Sequence, residues 1–319
     1  MATIVNIPNC GGLTGTFNSG IPVCDIIRSG LYGMIGLDAG VGFSDSETAT
    51  NDTFLAALRT KVRNERGDRA YPMYVLTNFE DTTQDRTKAA VGNLSNSQVT
   101  TNDAVPAFDF QHRQGELFHK QLMGAQNAGL TWLLVDKNYA VFGTQRSGQF
   151  SGFSTSDFYV GLPKFGTAST LSVYPFSVVF KSITEFKELG QFIQSTAGIA
   201  QVTGLNDVSL SEFDFTGSVL KISATAAGGT NINQLYDTEL TQSTAWVVKD
   251  STGAAVTVTS AYDSTNKVHS LTLSGTPFTG ATTGDAFTAN LAAPAVLAAS
   301  PINMDGYEST GAITVLKPA

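Results

Sequence analysis

Three histidines (His112, His119, His269) and two cysteines (Cys10, Cys24) are the side chains of this 319-residue chain best suited to ligate a metal, attack a carbon centre or move a proton near neutral pH. His112 and His119 stand seven residues apart, the first in a stretch that reads as a strand and the second in one that reads as a helix. No Cys, Asp or Glu stands beside them at zinc-ligand spacing, and the sequence holds no His-Glu-x-x-His. They read as ordinary core or interface histidines. Cys10 and Cys24, with thirteen residues between them, read as two free thiols of a reducing compartment.

Other chemistry is equally sparse. The glycine-rich run from Gly11 to Gly20 lacks the Lys-Ser/Thr ending of a phosphate-binding loop, and no Gly-x-Ser-x-Gly elbow occurs. Glu80-Asp81 and Glu185/Glu188 are the acidic pairs a glycosidase would need, but Glu185 is better placed to cap a helix and Glu80-Asp81 opens a polar loop. Asn51 and Asn93 begin glycosylation sequons that carry no weight without a secretion signal. The sequence reading therefore assigns no catalytic residue, no metal ligand and no cofactor site, and expects a protein that presents surfaces rather than one that catalyses.

Only 14% of the residues are charged and the net charge is −8, which argues against the basic footprint of a tight nucleic-acid binder. An acidic wall would still let DNA pass without adhering. The basic cluster from Arg59 to Arg69 is the exception, and is expected at a contact with a neighbouring subunit's carboxylates. Hydrophobic content of 42% supports a folded core. The longest apolar runs, such as Thr131–Val135, fall far short of the ~20 residues of a membrane helix. The first residues lack a basic and apolar leader, so the expectation is a protein made in the cytoplasm.

The elements that must position these side chains read as mainly β with a few helices, an α+β chain in two domains, 1–203 and 204–319. Residues 1–20 read as an extended arm and Val23–Ile27 as a short apolar stretch, followed by a strand at Leu31–Leu37 whose glycines allow close backbone approach. Phe54, Leu58 and Val62 mark a helix that Thr50 or Asp52 can cap and Gly67 can stop. Tyr71–Phe79 reads as a strand, residues 80–106 as a long polar loop that is functional or ordered by a partner, and Ala107–Arg113 as a strand with Phe108, Phe110 and His112 on one face. A helix at Glu116–Met123 and a hairpin of Trp132–Asp136 with Tyr139–Thr144 follow. Leu171–Phe180, with its proline, is expected at an edge or over a bulge. Ser182 and Glu185 form a capping box for a helix with the stripe Ile183, Phe186, Leu189 and Ile193, ended by Gly198. After Gly204, alternation predicts seven strands: Val208–Phe213, Val219–Thr225, Ala245–Val248, Val256–Tyr262, Val268–Leu273, Phe287–Leu291 and Ile313–Leu316. Strands at this spacing describe a β-sandwich in which Trp246 fills the core.

Three stretches, Arg69–Asp81, Phe108–His119 and Leu134–Asn138, together with a glycine-rich arm and a long polar loop, resemble the virion structural proteins of tailed bacteriophages, most of all tail-tube proteins. The segments Gly253–Thr259 and Tyr262–Asn266 look like a phage or bacterial Ig-like module. The resemblance implies a β-sandwich or barrel-like assembly domain at 1–203 and an Ig-like sandwich at 204–319. It further implies a homo-oligomeric ring or tube in the virion, with other virion proteins as partners, transient passage of DNA and no membrane. A capsid or decoration protein comes second, because a capsid subunit would be expected to show a spine helix longer than Phe54–Val62. A carbohydrate-binding adhesive surface protein is the alternative from another class.

Overall fold

The structure, a computed structural model, describes residues 4–6, 30–84, 87–90, 98–102, 104–166 and 172–319. The chain is mostly β, with six α-helices among the described residues, and divides into two compact units: residues 1–62 with 66–204, and residues 63–65 with 205–319. Cys10, Cys24, Asn93, the Val23–Ile27 stretch and all but residues 4–6 of the expected arm lie outside the described residues.

The strands of the first unit are β1 (Ile4–Asn6), β2 (Leu31–Leu37), β3 (Gly42–Phe43), β4 (Ala70–Tyr74), β5 (Thr77–Asp81), β6 (Thr87–Ala90), β7 (Gln98–Asn102), β8 (Ala107–His112), β9 (Thr131–Asp136), β10 (Ala140–Arg146), β11 (Gln149–Ser151), β12 (Phe153–Val160), β13 (Tyr174–Phe180) and β14 (Gly190–Gln194). Helices α1 (Asn51–Val62), α2 (Glu116–Gly124) and α3 (Ile183–Lys187) lie between them. All but β6 and β7 belong to one branched sheet. Strand β9, buried at all six positions, is the branch point. Along one edge it pairs with β2 from Leu37↔Thr131 to Leu31↔Asp136. Its other edge is shared, β10 pairing at Leu134 and Val135 and β12 at Thr131 and Trp132. From β12 the path runs through β13 and β8 to the edge strand β5, and from β10 through β14 to β1.

Glycine makes the branch possible. A Cβ on Gly143 of β10 would stand 2.5 Å from both the Leu133 side chain and the Ser151 carbonyl oxygen. In β2, a Cβ on Gly33 would stand 2.6 Å from the Tyr74 ring, so the expectation of close approach along this strand holds.

The core of this unit is aromatic. Phe110 stacks on Phe176 at 5.1 Å, and Phe153 on Phe186 at 3.9 Å. Each such ring, taken from water, contributes roughly 1.5–3 kcal/mol. Helix α1 buries Phe54, Leu55, Ala57, Leu58 and Val62. Of its two candidate caps, Thr50 serves: its Oγ1 accepts the Thr53 N–H at 3.1 Å while Thr53 Oγ1 accepts the Thr50 N–H at 3.0 Å. The helix ends at Val62 rather than running to Gly67, which turns the chain at φ +104°.

Several expectations are corrected. The 80–106 stretch is not a structureless loop: it begins in β5, and β6 and β7 pair antiparallel from Thr87↔Asn102 to Ala90↔Gln98. Strands that pair with each other can form without a hydrophobic period in their sequence. Residues 4–6 of the arm pair with β14 of the same chain, Ile4 opposite Ile193. Tyr71–Phe79 is two strands, broken where Val75 takes φ +60°. The strand with Pro175 is flanked on both sides, by β12 and β8, so it is not an edge; its pairing with β12 does carry a register shift between Thr155 and Asp157, at the far end from Pro175, whose carbonyl accepts the Gly161 N–H at 2.9 Å. The helix expected from Ser182 to Gly198 stops at Lys187, and Gln191–Ile193 belong to a strand. Ser182 makes no side-chain cap, and Glu185 turns to other partners: its carboxylate accepts from Ser154 N at 2.7 Å and Arg146 Nη2 at 2.7 Å.

The second unit contains β15 (Asn206–Thr216), β16 (Val219–Ala226), β17 (Thr230–Asn231), β18 (Trp246–Asp250), β19 (Thr257–Asp263), β20 (Val268–Ser274), β21 (Ala286–Leu291), β22 (Tyr307–Ser309) and β23 (Ile313–Leu316). All seven expected strands are present. Three short helices, α4 (Ile232–Leu235), α5 (Thr276–Thr279) and α6 (Pro294–Ala298), were not anticipated, being too short to show a period. One sheet runs β19-β20-β16-β15-β22 and the other β18-β21-β23. Leu220, Ile222 and Leu271 from the first meet Trp246, Phe287 and Val315 from the second in one buried cluster. The turns after β18 and β19 are held by their aspartates: Asp250 Oδ1 accepts from Thr252 N at 2.9 Å, and Asp263 Oδ1 from Asn266 N at 3.1 Å.

Candidate functional site: a histidine relay beneath an exposed apolar hairpin

Alternation along β8 places Phe108, Phe110 and His112 on one face, and the turn at Gly115, with φ +92°, starts α2 so that His119 returns over the end of that strand. Both imidazoles are buried. The two histidines therefore meet, which their separate assignment to strand and helix did not foretell. The distance from His112 Nε2 to His119 Nδ1 is 3.0 Å. His112 stacks on Tyr174 of β13 at 5.2 Å and meets the edge of Phe118 at 4.9 Å.

Backbone groups at the two ends set the protons. The Gln114 N–H donates to His112 Nδ1 at 3.3 Å, so that nitrogen is an acceptor and Nε2 carries the hydrogen. His112 Nε2–H then donates to His119 Nδ1, leaving His119 Nε2–H to donate to the Gly161 carbonyl at 2.8 Å. Every ring nitrogen of the pair is used. Burial, reinforced by the adjacent His119, pulls the His112 pKa down to about 4.

Gly161 opens the exposed part of the site. Beyond it the ladder between β12 and β13 continues outward, with Lys164 N–H donating to the Val173 carbonyl at 2.9 Å and Val173 N–H to the Lys164 carbonyl at 3.1 Å. This hairpin carries Tyr159 at 53% exposure, Leu162 at 75% and Phe165 at 92%. Leaving a Leu and a Phe in water forgoes roughly 1.5–3 kcal/mol for each. The sequence reading assigned nothing to this hairpin. The one available signal was Leu162 and Phe165 standing in the turn-rich run Gly161-Leu-Pro-Lys-Phe-Gly166 without any periodic partner.

The third histidine is arranged differently. His269 on β20 is buried, with Nδ1 at 3.3 Å from Ser260 Oγ. Ser260 gives its own hydrogen to the Leu240 carbonyl at 2.8 Å, so Nδ1–H is the donor to Ser260. This is the wrong polarity for a base activating a serine. Nε2 completes no hydrogen bond among the described residues; the Asn233 backbone beside the ring offsets part of the burial effect, and Asn233 Oδ1 also lacks a partner. Burial lowers the His269 pKa to about 4.

The remaining sequence candidates do not converge. In the basic cluster, Lys61 pairs with Glu47 of the same chain at 3.1 Å. Among the described residues no group of three or more His, Cys, Asp or Glu side chains is arranged to hold a metal ion. No helix is long and apolar enough to cross a membrane among them. No protein-family model matches the chain, and no curated protein matches it.

Proposed function

We propose that the chain is a self-assembling structural subunit, and that the exposed β12–β13 hairpin is one side of the contact between copies. The observation that carries this reading is the exposure of Leu162 and Phe165 together on a hairpin whose stem is held by backbone hydrogen bonds. Large apolar side chains exposed together are covered by another surface when a subunit assembles. The tail-tube resemblance supplies the setting: a ring or tube in a phage virion, other virion proteins at its ends, and DNA passing an acidic lumen. In that reading the branched sheet forms the wall and the two-sheet C-terminal unit is an Ig-like sandwich.

The test is sedimentation velocity and negative-stain imaging at neutral pH across a wide concentration range. The wild-type chain is expected to form rings or tubes. The L162D/F165D variant is expected to sediment as a monomer with an unchanged circular dichroism spectrum. A wild-type chain that stays monomeric at every concentration would overturn the proposal.

A further inference from the structure

We propose that Asp305–Gly306 is a self-modification site, at which the chain converts to isoaspartate at a rate set by the hold of Arg63 on the Asp305 carboxylate. The inference is independent of the self-assembly reading and concerns the second unit alone.

Aspartate followed by glycine occurs once in the 319 residues, at this position, and asparagine followed by glycine does not occur. The dipeptide matters because the nitrogen of the following residue can attack the carboxyl carbon, and a side chain on that residue obstructs the approach. Gly306 offers no obstruction: it turns the chain at φ +86°, and a Cβ built on it would meet nothing within 4 Å. Its N–H makes no hydrogen bond among the described residues, so no acceptor has to be given up before the nitrogen reacts. Asp305 itself is exposed. Attacking atom and target are adjacent and open to water.

The chemistry balances with water as its one reagent. The Gly306 nitrogen bonds to Asp305 Cγ, and the carboxyl OH leaves with the amide hydrogen as water, closing a five-membered imide. Water then adds at the Asp305 main-chain carbonyl carbon and breaks its bond to the Gly306 nitrogen. The chain now runs through Cγ, one methylene longer, and the former main-chain carbonyl is a free carboxylate. Addition at Cγ instead restores aspartate.

One contact stands against the first step. Arg63, which belongs to the same unit, holds both carboxylate oxygens: its Nε donates to Oδ1 at 2.9 Å and its Nη2 to Oδ2. Cγ cannot turn towards the Gly306 nitrogen and lose an oxygen while both oxygens are bound. The pair is partly solvated, with the Asp305 side chain 56% exposed, so its hold is worth at most about fivefold in rate rather than a complete block.

The modification would fall where two strands meet. The Gly306 carbonyl accepts the Asn206 N–H at 2.8 Å, and Tyr307 stands opposite Asn206 in the parallel β15–β22 ladder. An extra methylene before Gly306 displaces both groups. The modified chain therefore loses the first rung between β15 and β22.

Wild-type protein, R63Q and D305E, each kept for weeks at neutral pH as the full chain, test this. Each is then cut with trypsin, and the peptide beginning at Val268 is fragmented by a method that separates isoaspartate from aspartate. The same peptide, released from fresh wild-type protein and incubated alone, gives the unrestrained rate. Isoaspartate at Asp305 is expected in the wild type, more slowly than in the free peptide, and about fivefold faster in R63Q than in the wild type. None is expected in D305E, which keeps a carboxylate for Arg63 but cannot close the five-membered ring. In aged wild-type protein the Asn206 amide should split into two populations, the modified one exchanging faster with solvent. Wild type and R63Q that both stay unmodified while the peptide converts would overturn the site. An R63Q chain that converts no faster than the wild type would overturn the role of Arg63. If R63Q fails to fold, high salt weakens the same pair in the wild type and is expected to speed conversion, and an unchanged rate would refute the restraint.

Discussion

His112 in the first unit and His269 in the second are both buried imidazoles on β-strands, and burial lowers the pKa of each to about 4. Their surroundings differ in one respect. The His112 ring is wired into a chain whose ends are backbone groups, whereas His269 Nε2 completes no hydrogen bond among the described residues, although the Asn233 backbone lies beside the ring. Equal pKa values thus conceal unequal roles. Burial is the largest influence on how reluctantly each histidine takes a proton, and hydrogen-bond closure sets what moves when it does.

Removing one side chain from each unit should separate these roles most sharply. H119A strands His112 Nε2–H and the Gly161 carbonyl and leaves a cavity, so a loss of about 3–5 kcal/mol is expected by urea denaturation. A loss below about 1 kcal/mol would mean that the relay holds nothing.

Acid should affect both units alike. With each folded pKa below the unfolded value near 6.5, the unfolded chain binds the proton first. Stability from these groups is complete above pH 6.5 and falls by about 1.4 kcal/mol per pH unit per histidine down to pH 4. The total is roughly 3 kcal/mol for each. Thermal or urea unfolding followed between pH 7.5 and 4 measures that slope, and a flat profile would contradict the burial of both rings.

The smallest effect belongs to H269L. It deletes a single long hydrogen bond to Ser260 while removing an unpaired nitrogen, so stability at pH 7.5 should change by about 1 kcal/mol or less. The acid slope contributed by His269 should vanish. A loss comparable to that of H119A would show that Nε2 has a partner in solution and would erase the contrast between the two units.

The C-terminal unit was the more legible in the sequence. Its strands alternate cleanly and its turns are built on Asp250 and Asp263, so local chemistry and fold agree. In the first unit the same reading recovered β2, α1, β8 and the β9–β10 hairpin. It failed at Ser182–Gly198, where Ile183, Phe186, Leu189 and Ile193 keep helical spacing across a five-residue helix and a strand. The histidine pair was hidden because residues seven apart meet only if a strand, a turn and a helix fold back together. The exposed hairpin was hidden because exposure of Leu162 and Phe165 leaves no periodic trace.

The branch at β9 has a further consequence, in the timing of synthesis. Strand β2 can pair early with β4, but its other edge waits for β9, about 100 residues later. At ribosomal rates of 5–20 residues per second that interval is on the order of 5–20 s. Throughout it Met34, Ile35 and Leu37 lack the strand that will cover them. β1 waits longer still, since β14 is among the last parts of its unit to emerge. The first unit therefore comes together around a late-arriving centre, and its earliest apolar strand depends on the nascent chain remaining uncommitted until β9 is made.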